Sequence, residues 1–281
     1  MYKTPKPIYR SPLRTWLGKR YFTMRRYLKW YGGKTKFAKQ QSEELLPVKI
    51  FEHQSILLRQ LKDVDMHLQH NKIQNLKIAA SPLHNLIIQP GETFSFWYRV
   101  GRTSKAKGYL TGMMLQNGKV VEGIGGGLCQ MGNLIFWMAL HTPLTVVERW
   151  RHSYDVFPDS NRTLPFGSGA TLSYNYIDLQ FKNETEQPFQ LQIWLSEKHL
   201  HGAFLVQNEI PHFYKIIEKN HLMQGEAWGG YTRHNQIVRQ VFNKKNNTLL
   251  KEELITENHA VMMYQPFLTD ATLDGRLLRI T

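Results

Sequence analysis

Cys129 is the only cysteine in the 281-residue chain, and it follows a triple glycine at the head of an apolar run, Gly123-Ile-Gly-Gly-Gly-Leu-Cys-Gln-Met-Gly-Asn-Leu-Ile-Phe-Trp-Met-Ala-Leu140. A lone thiol has no internal disulfide partner. The run predicts a helix over residues 128–140, which places the sulfur at its start, where unpaired N–H groups and the positive end of the macrodipole favour thiolate. This is where a nucleophile would be built. Gly125, Gly126 and Gly127 could present successive N–H groups as an oxyanion hole, and Gly132, one helical turn on, would leave room beside the sulfur.

A cysteine nucleophile needs a base and a group to orient it. The segment after the helix, Thr145–Ser153, reads as a strand that would carry Val146, Glu148, Trp150 and His152 on one face. His152 is the candidate base, and Asp178, an acid among apolar neighbours, is the candidate orienter, with Asn175 and Asp155 as alternatives. Gln130, Arg149 and Ser153 complete the candidate substrate contacts. The competing reading is that Cys129 is a small core hydrophobe. No cofactor motif is present. His67 with His70, and His199 with His201, lack further ligands at metal spacing, so no metal site is expected. Trp228-Gly-Gly-Tyr-Thr-Arg-His-Asn235 reads either as a structural turn or as a recognition loop for a carboxylate or sugar.

The net charge of +14 is concentrated at one end: residues 1–40 hold twelve Lys/Arg and no Asp/Glu. The remainder is nearly neutral, so arguments about polyanions concern this arm alone. After Pro5, Pro7 and Pro12, residues 13–31 read as a basic amphipathic helix. At about 100° per residue, Trp16, Leu17, Tyr21, Met24, Tyr27, Leu28 and Tyr31 fall on one side and Lys19, Arg25, Arg26 and Lys29 on the other. Such a helix could dock its aromatic face on the protein with its cations in water, or lie on anionic membrane. Nucleic acid is the least favoured partner, because no reading-helix motif is present.

A second helix is predicted from Pro47 to Leu76. Beyond Leu86 the texture becomes short strands: Thr93–Trp97, a hairpin with an Asn117-Gly118 turn, Ala170–Tyr176, Ile177–Lys182 and Gln190–Leu195. The expected fold is α+β, a β-rich single domain with a Cys-bearing helix and an N-terminal basic amphipathic helical arm. The arm is assigned to residues 1–45 and the domain to 46–281. No run reaches the roughly 18 apolar residues of a spanning helix and no secretory leader is recognised. The expected location is therefore cytoplasmic, with peripheral contact at the inner membrane face as an option.

Pro90-Gly-Glu-Thr-Phe-Ser-Phe96, the Asn117-Gly-Lys hairpin, Gly123 to Gln130, Glu148-Arg149 with His152-Ser153, Ala170 to Tyr174 and Asp178 to Asn183 together resemble the successive motifs of the VanW family, most strongly over residues 85–195. The resemblance implies a link to bacterial cell-wall biology and glycopeptide resistance. Longer relatives look like L,D-transpeptidases, in which the cysteine aligned with Cys129 accepts an acyl group from a peptidoglycan stem peptide. By that analogy Cys129 would be the nucleophile, His152 the base, Asp178 the orienter and the loop glycines the oxyanion donors. The alternative is a non-enzymatic accessory module that grips a cell-wall precursor.

Overall fold

A computed structural model describes residues 10–58, 65–116, 118–156 and 163–266. Pro5, Pro7, the Asn117 turn position and the last fifteen residues lie outside them. The fold is mixed and strand-rich. Helix α1 (Pro12–Tyr31) leads into strand β1 (Val48–Ile56), helix α2 (Met66–Ala80), strands β2 (Leu86–Ile88) and β3 (Thr93–Ser95), and the short helix α3 (Phe96–Val100). A hairpin of β4 (Thr111–Gln116) and β5 (Lys119–Ile124) precedes helix α4 (Cys129–Leu140). Strands β6 (Thr145–Glu148), β7 (Tyr154–Asp155), β8 (Gln180–Lys182), β9 (Phe189–Leu195) and β10 (His199–Val206) follow. The long strands β11 (His212–Gly225), β12 (Tyr231–Asn243) and β13 (Leu249–Met262) close the order.

Two four-stranded sheets, in orders β1-β10-β9-β2 and β11-β12-β13-β7, accompany a small β3-β8-β6 sheet. Helix α4 is apolar nearly all round, and nine of its residues, from Met131 to Leu140, are buried. A helix with no polar face belongs inside a protein, and here it packs against β1 and β10. Gly202 on β10 permits that approach, since a Cβ there would sit 2.6 Å from Met138 Cε.

The predicted helix from Pro47 to Leu76 is instead a strand followed by a helix. Val48–Ile56 pairs antiparallel with β10 from Val48↔Val206 to Ile56↔His199, with an irregularity between Lys49 and Phe51. The apolar positions there satisfy both periods, and the backbone hydrogen bonds offered by β10 decide for the strand. Helix α2 starts later, at an Asp65 cap whose carboxylate accepts from the His67 N–H at 3.0 Å. The segment expected to be a strand through Ser153 leaves the sheet at Glu148, so Trp150 and His152 do not share a strand face with Val146. Residues 170–176 form no strand beyond a Ser173↔Ile177 bridge, and Thr93–Trp97 turns helical after Ser95, whose hydroxyl caps α3 through the Tyr98 N–H.

Helix α1 docks mainly through Arg26, Lys29 and Trp30, with Phe22 and Tyr27 touching Tyr176 and Tyr174, and leaves most of the predicted apolar face outside. Arg26 and Trp30 are its buried residues, while Trp16, Leu17, Tyr21, Met24, Leu28 and Tyr31 are exposed. The cause lies in the body, where the carboxylates of Glu148 and the fully buried Asp178 require a cation. Arg26 supplies it through both guanidinium ends to Glu148 (Nη1–Oε2 2.6 Å) and from 3.9 Å to Asp178.

Asn75, fully buried on α2, holds the glycine loop in place. Its Nδ2 donates to the carbonyls of Gly126 (2.9 Å) and Leu110 (3.1 Å), and its Oδ1 accepts from the Leu110 N–H (2.8 Å). Asn75→Ala would remove this donor from the Gly126 carbonyl and this acceptor from the Leu110 N–H. The expected loss is about 3 kcal/mol, read as a lower urea midpoint at unchanged slope.

Candidate functional site

The glycine loop is rigid where an oxyanion hole would need free donors. Gly125 donates its N–H to Leu110 O (3.0 Å) and Gly126 donates to Gly123 O (3.1 Å), so two of the three expected donors are engaged inside the protein. Gly126 lies against the Gly112 carbonyl with no space for a Cβ. Gly127 takes a φ of +94°, and the stem of Lys72 fills the place where its side chain would be. The Lys72 ammonium is directed beneath the loop, donating to Leu57 O (2.6 Å) and Gln69 Oε1 (2.7 Å).

Cys129 is half-buried at the start of α4 and packs against the central core. Its thiol points toward Leu172 O at 3.9 Å, the long contact of a weak S–H donor. Burial pushes the thiol pKa up, outweighing the opposing backbone hydrogen bonds. Gly132 offers no approach path either, because the Leu172 side chain occupies that space, its Cδ1 2.8 Å from a Cβ placed there. The raised pKa runs against the ionised sulfur that the helix start suggests. Desolvation of the anion opposes the macrodipole effect.

His152 sits in the coil between β6 and β7, and no hydrogen bond joins its ring to Cys129 or Asp178. Burial, and then the neighbouring Arg151 charge, push its pKa down to about 4. Asp178 is turned to other donors: Ser95 Oγ (2.5 Å), the Trp97 N–H (3.1 Å), the Leu179 N–H (2.9 Å) and Gln180 Nε2 (2.8 Å). It fixes β3, α3 and β8 together and does not orient an imidazole here. Asn175, at a φ of +55°, is buried with neither side-chain polar atom partnered among the described residues, and Asp155 accepts from Tyr264 Oη (2.8 Å) and faces Arg233 at 3.5 Å.

The remaining candidates act as struts. Gln130 Nε2 donates to Ser55 Oγ (2.9 Å) and Ile56 O (2.8 Å), tying α4 to the end of β1. Ser153 is exposed, and its carbonyl accepts from the Val261 N–H at 3.1 Å. Arg149 reaches from the end of β6 to the C-terminal sheet. Its guanidinium donates to the carbonyls of Gly167 and Gly169, to Thr256 Oγ1 (3.2 Å) and to Asn258 Oδ1 (3.1 Å), with the Phe136 ring 5.0 Å away. No carboxylate pairs with it among the described residues. Burial, then the Arg151 charge, lower its pKa to about 9.

Sequence reasoning missed a cleft of about 720 Å³ between α1 and the small sheet. Arg25, Arg26, Lys29 and Lys34 line it with Glu148, Trp150 and Tyr176. Four cations face one carboxylate, and Arg26 already holds that one. Lys29 donates to Gln180 Oε1 (2.7 Å), and burial lowers its pKa. Such a lining favours a ligand with an anionic group and an apolar or ring-bearing portion. The sequence signal was the basic arm, but its partners across the cleft lie more than a hundred residues away. Among the described residues no cluster of three or more His, Cys, Asp or Glu could hold a metal ion.

The sequence profile described as VanW like protein matches residues 71–205, from α2 through β10. The Vancomycin B-type resistance protein VanW of Enterococcus faecalis is 38% identical over 228 residues, covering 81% of this chain and 82% of that relative. The chain belongs to the VanW family. An uncharacterised Bacillus subtilis protein, YoaR, is 31% identical over 136 residues, covering 48% of this chain and 42% of its own length. No solved structure matches. In VanW-family terms the matched segment contains the glycine loop, α4, Arg149, His152 and Asp178, whereas α1 and the three long C-terminal strands lie outside the profile.

Two outcomes follow from the site. With burial holding its thiol pKa up, Cys129 in the folded protein should react with iodoacetamide at least about tenfold more slowly than free cysteine, and His152→Ala should leave that rate unchanged. His141 and His152 both have folded pKa values depressed to about 4 from 6.5, so the unfolded chain binds protons more readily between those values. Stability should therefore fall as pH drops from about 6.5 towards 4. Chemical denaturation across that window should show the slope, flattened in His141→Gln.

Proposed function

We propose that this VanW-family chain serves glycopeptide resistance as a non-catalytic accessory protein that captures an anionic cell-wall precursor, and that the capture site is the cleft beneath α1. The link to resistance rests on the relationship to the Enterococcus faecalis protein. The observation that carries the binding reading is the lining itself, in which Arg25, Lys29 and Lys34 surround a space walled by Trp150 and Tyr176. Guanidinium and ammonium groups meet a carboxylate or phosphate, and the rings take the apolar or sugar portion of the same molecule. Cysteine acyl transfer, implied by the longer relatives, would require an ionisable sulfur with a base beside it. Cys129 has its thiol held against a carbonyl, and both oxygens of Asp178 are committed elsewhere.

Calorimetric titration with a synthetic peptidoglycan stem peptide bearing a free C-terminal carboxylate, and separately with inorganic diphosphate, tests the reading and identifies which anion is preferred. Saturable binding of at least one probe is expected. Arg25→Gln with Lys34→Gln should weaken it about tenfold, equivalent to about 1.4 kcal/mol, while Cys129→Ser leaves it unchanged. A peptide-mass adduct on the intact protein that Cys129→Ser abolishes would replace this reading with acyl transfer, and no binding of either probe would end it.

A further inference from the structure

Helix α1 turns the usual arrangement of an amphipathic helix inside out. Its inward side is polar and cationic at Arg26 and Lys29, with Trp30 as the buried ring. Its outward side carries Leu13, Trp16, Leu17, Tyr21, Met24 and Tyr31, with Leu28 at the rim of the cleft, each between 53% and 72% exposed. Isolated surface leucines need no explanation, but a contiguous stripe along five turns of helix does. We propose that this stripe is a docking surface for an anionic lipid bilayer, with α1 lying in the plane of the interface.

The charge pattern selects that occupant. Arg14, Lys19, Arg20 and Arg25 are all exposed along the same helix, and residues 1–40 contain no acidic side chain. The Arg20 guanidinium stands 5.4 Å over the Trp16 ring and that of Arg25 5.7 Å over the Tyr21 ring. Long cationic side chains laid along aromatic bodies can place apolar surface among acyl chains while their charged ends reach headgroup phosphates. A second copy of the chain would bring one basic helix against another and meet repulsion at close range. A nucleic acid would satisfy the cations and leave the leucine and methionine stripe in water. No described helix is long and apolar enough to cross a membrane, so α1 would lie on the surface rather than span it.

This inference does not depend on a ligand in the cleft, and the test separates the two. The full chain is sedimented with phosphatidylcholine vesicles made with and without phosphatidylglycerol. Binding to the anionic vesicles should exceed binding to the neutral ones and weaken with salt. Leu17→Glu with Met24→Glu, at exposed positions outside the cleft lining, should lower the partition coefficient at least about tenfold while leaving titration of the cleft probes unaltered. Trp16 fluorescence should be quenched by brominated acyl chains, a response that Trp16→Phe removes. Absence of binding to anionic vesicles, or equal binding by the Glu variant, overturns the proposal. A concentration-dependent dimer that the same variant abolishes, without vesicle binding, overturns it in favour of self-association.

Discussion

The contact on which the arrangement around α1 depends is the Arg26 guanidinium set against Glu148 and Asp178. Asp178 is wholly enclosed and accepts four hydrogen bonds from β3, α3 and β8, while Glu148 ends β6 and also accepts from the Asp178 N–H at 3.1 Å. These two acids gather the small sheet, and burial pushes the Asp178 pKa up while the Arg26 charge opposes that rise. Burial alone would lower the Arg26 pKa. The Glu148 hydrogen bond and the charges of both acids outweigh it and raise the value. Removing one member of such a cluster leaves the others uncompensated, commonly a loss of about 3–5 kcal/mol. Because Arg26 must point inward, the opposite face of α1 must point outward, and the space left beside the ion pair becomes the cleft.

The glycine and cysteine region is likewise braced by polar side chains. Asn75 and Lys72 approach it from α2, and Gln130 ties α4 to the end of β1. Arg149 behaves similarly at the opposite end of β6. Polar residues arranged this way determine how elements meet. The matched profile thus contains a set of struts together with the walls of a cleft, and α1 completes the cleft from outside the profile.

Much of the architecture was legible because it depends on local pattern. The apolar run to Leu140 is helical with Cys129 at its start, β4 and β5 form the hairpin read around Gly118, and the strand character of residues 190–195 is realised in β9. What escaped depends on distant partners. The periodicity of α1 separates two faces but cannot say which is inside, since that is decided by Glu148, 122 residues away. Residues 48–56 satisfy helical and strand spacing alike until β10 is present. His152 and Asp178 were matched by type and order, yet neither spacing nor residue type reveals that Asp178 is taken by Ser95 and the Trp97 N–H. The wall residues Trp150 and Tyr176 carry no motif at all and acquire meaning only when the basic helix folds over them.

Arg149 shows how differently two arginines in one protein can respond to acid. Its contacts are peptide carbonyls, a hydroxyl and an amide, none of which titrates in the range that neutralises carboxylates, whereas Arg26 is secured by two acids. Acidification therefore weakens the fastening of the amino-terminal helix and leaves the bolt between β6 and the carboxy-terminal sheet intact. The two fastenings thus differ in kind, one a clasp of opposite charges and the other a guanidinium nested among neutral oxygens.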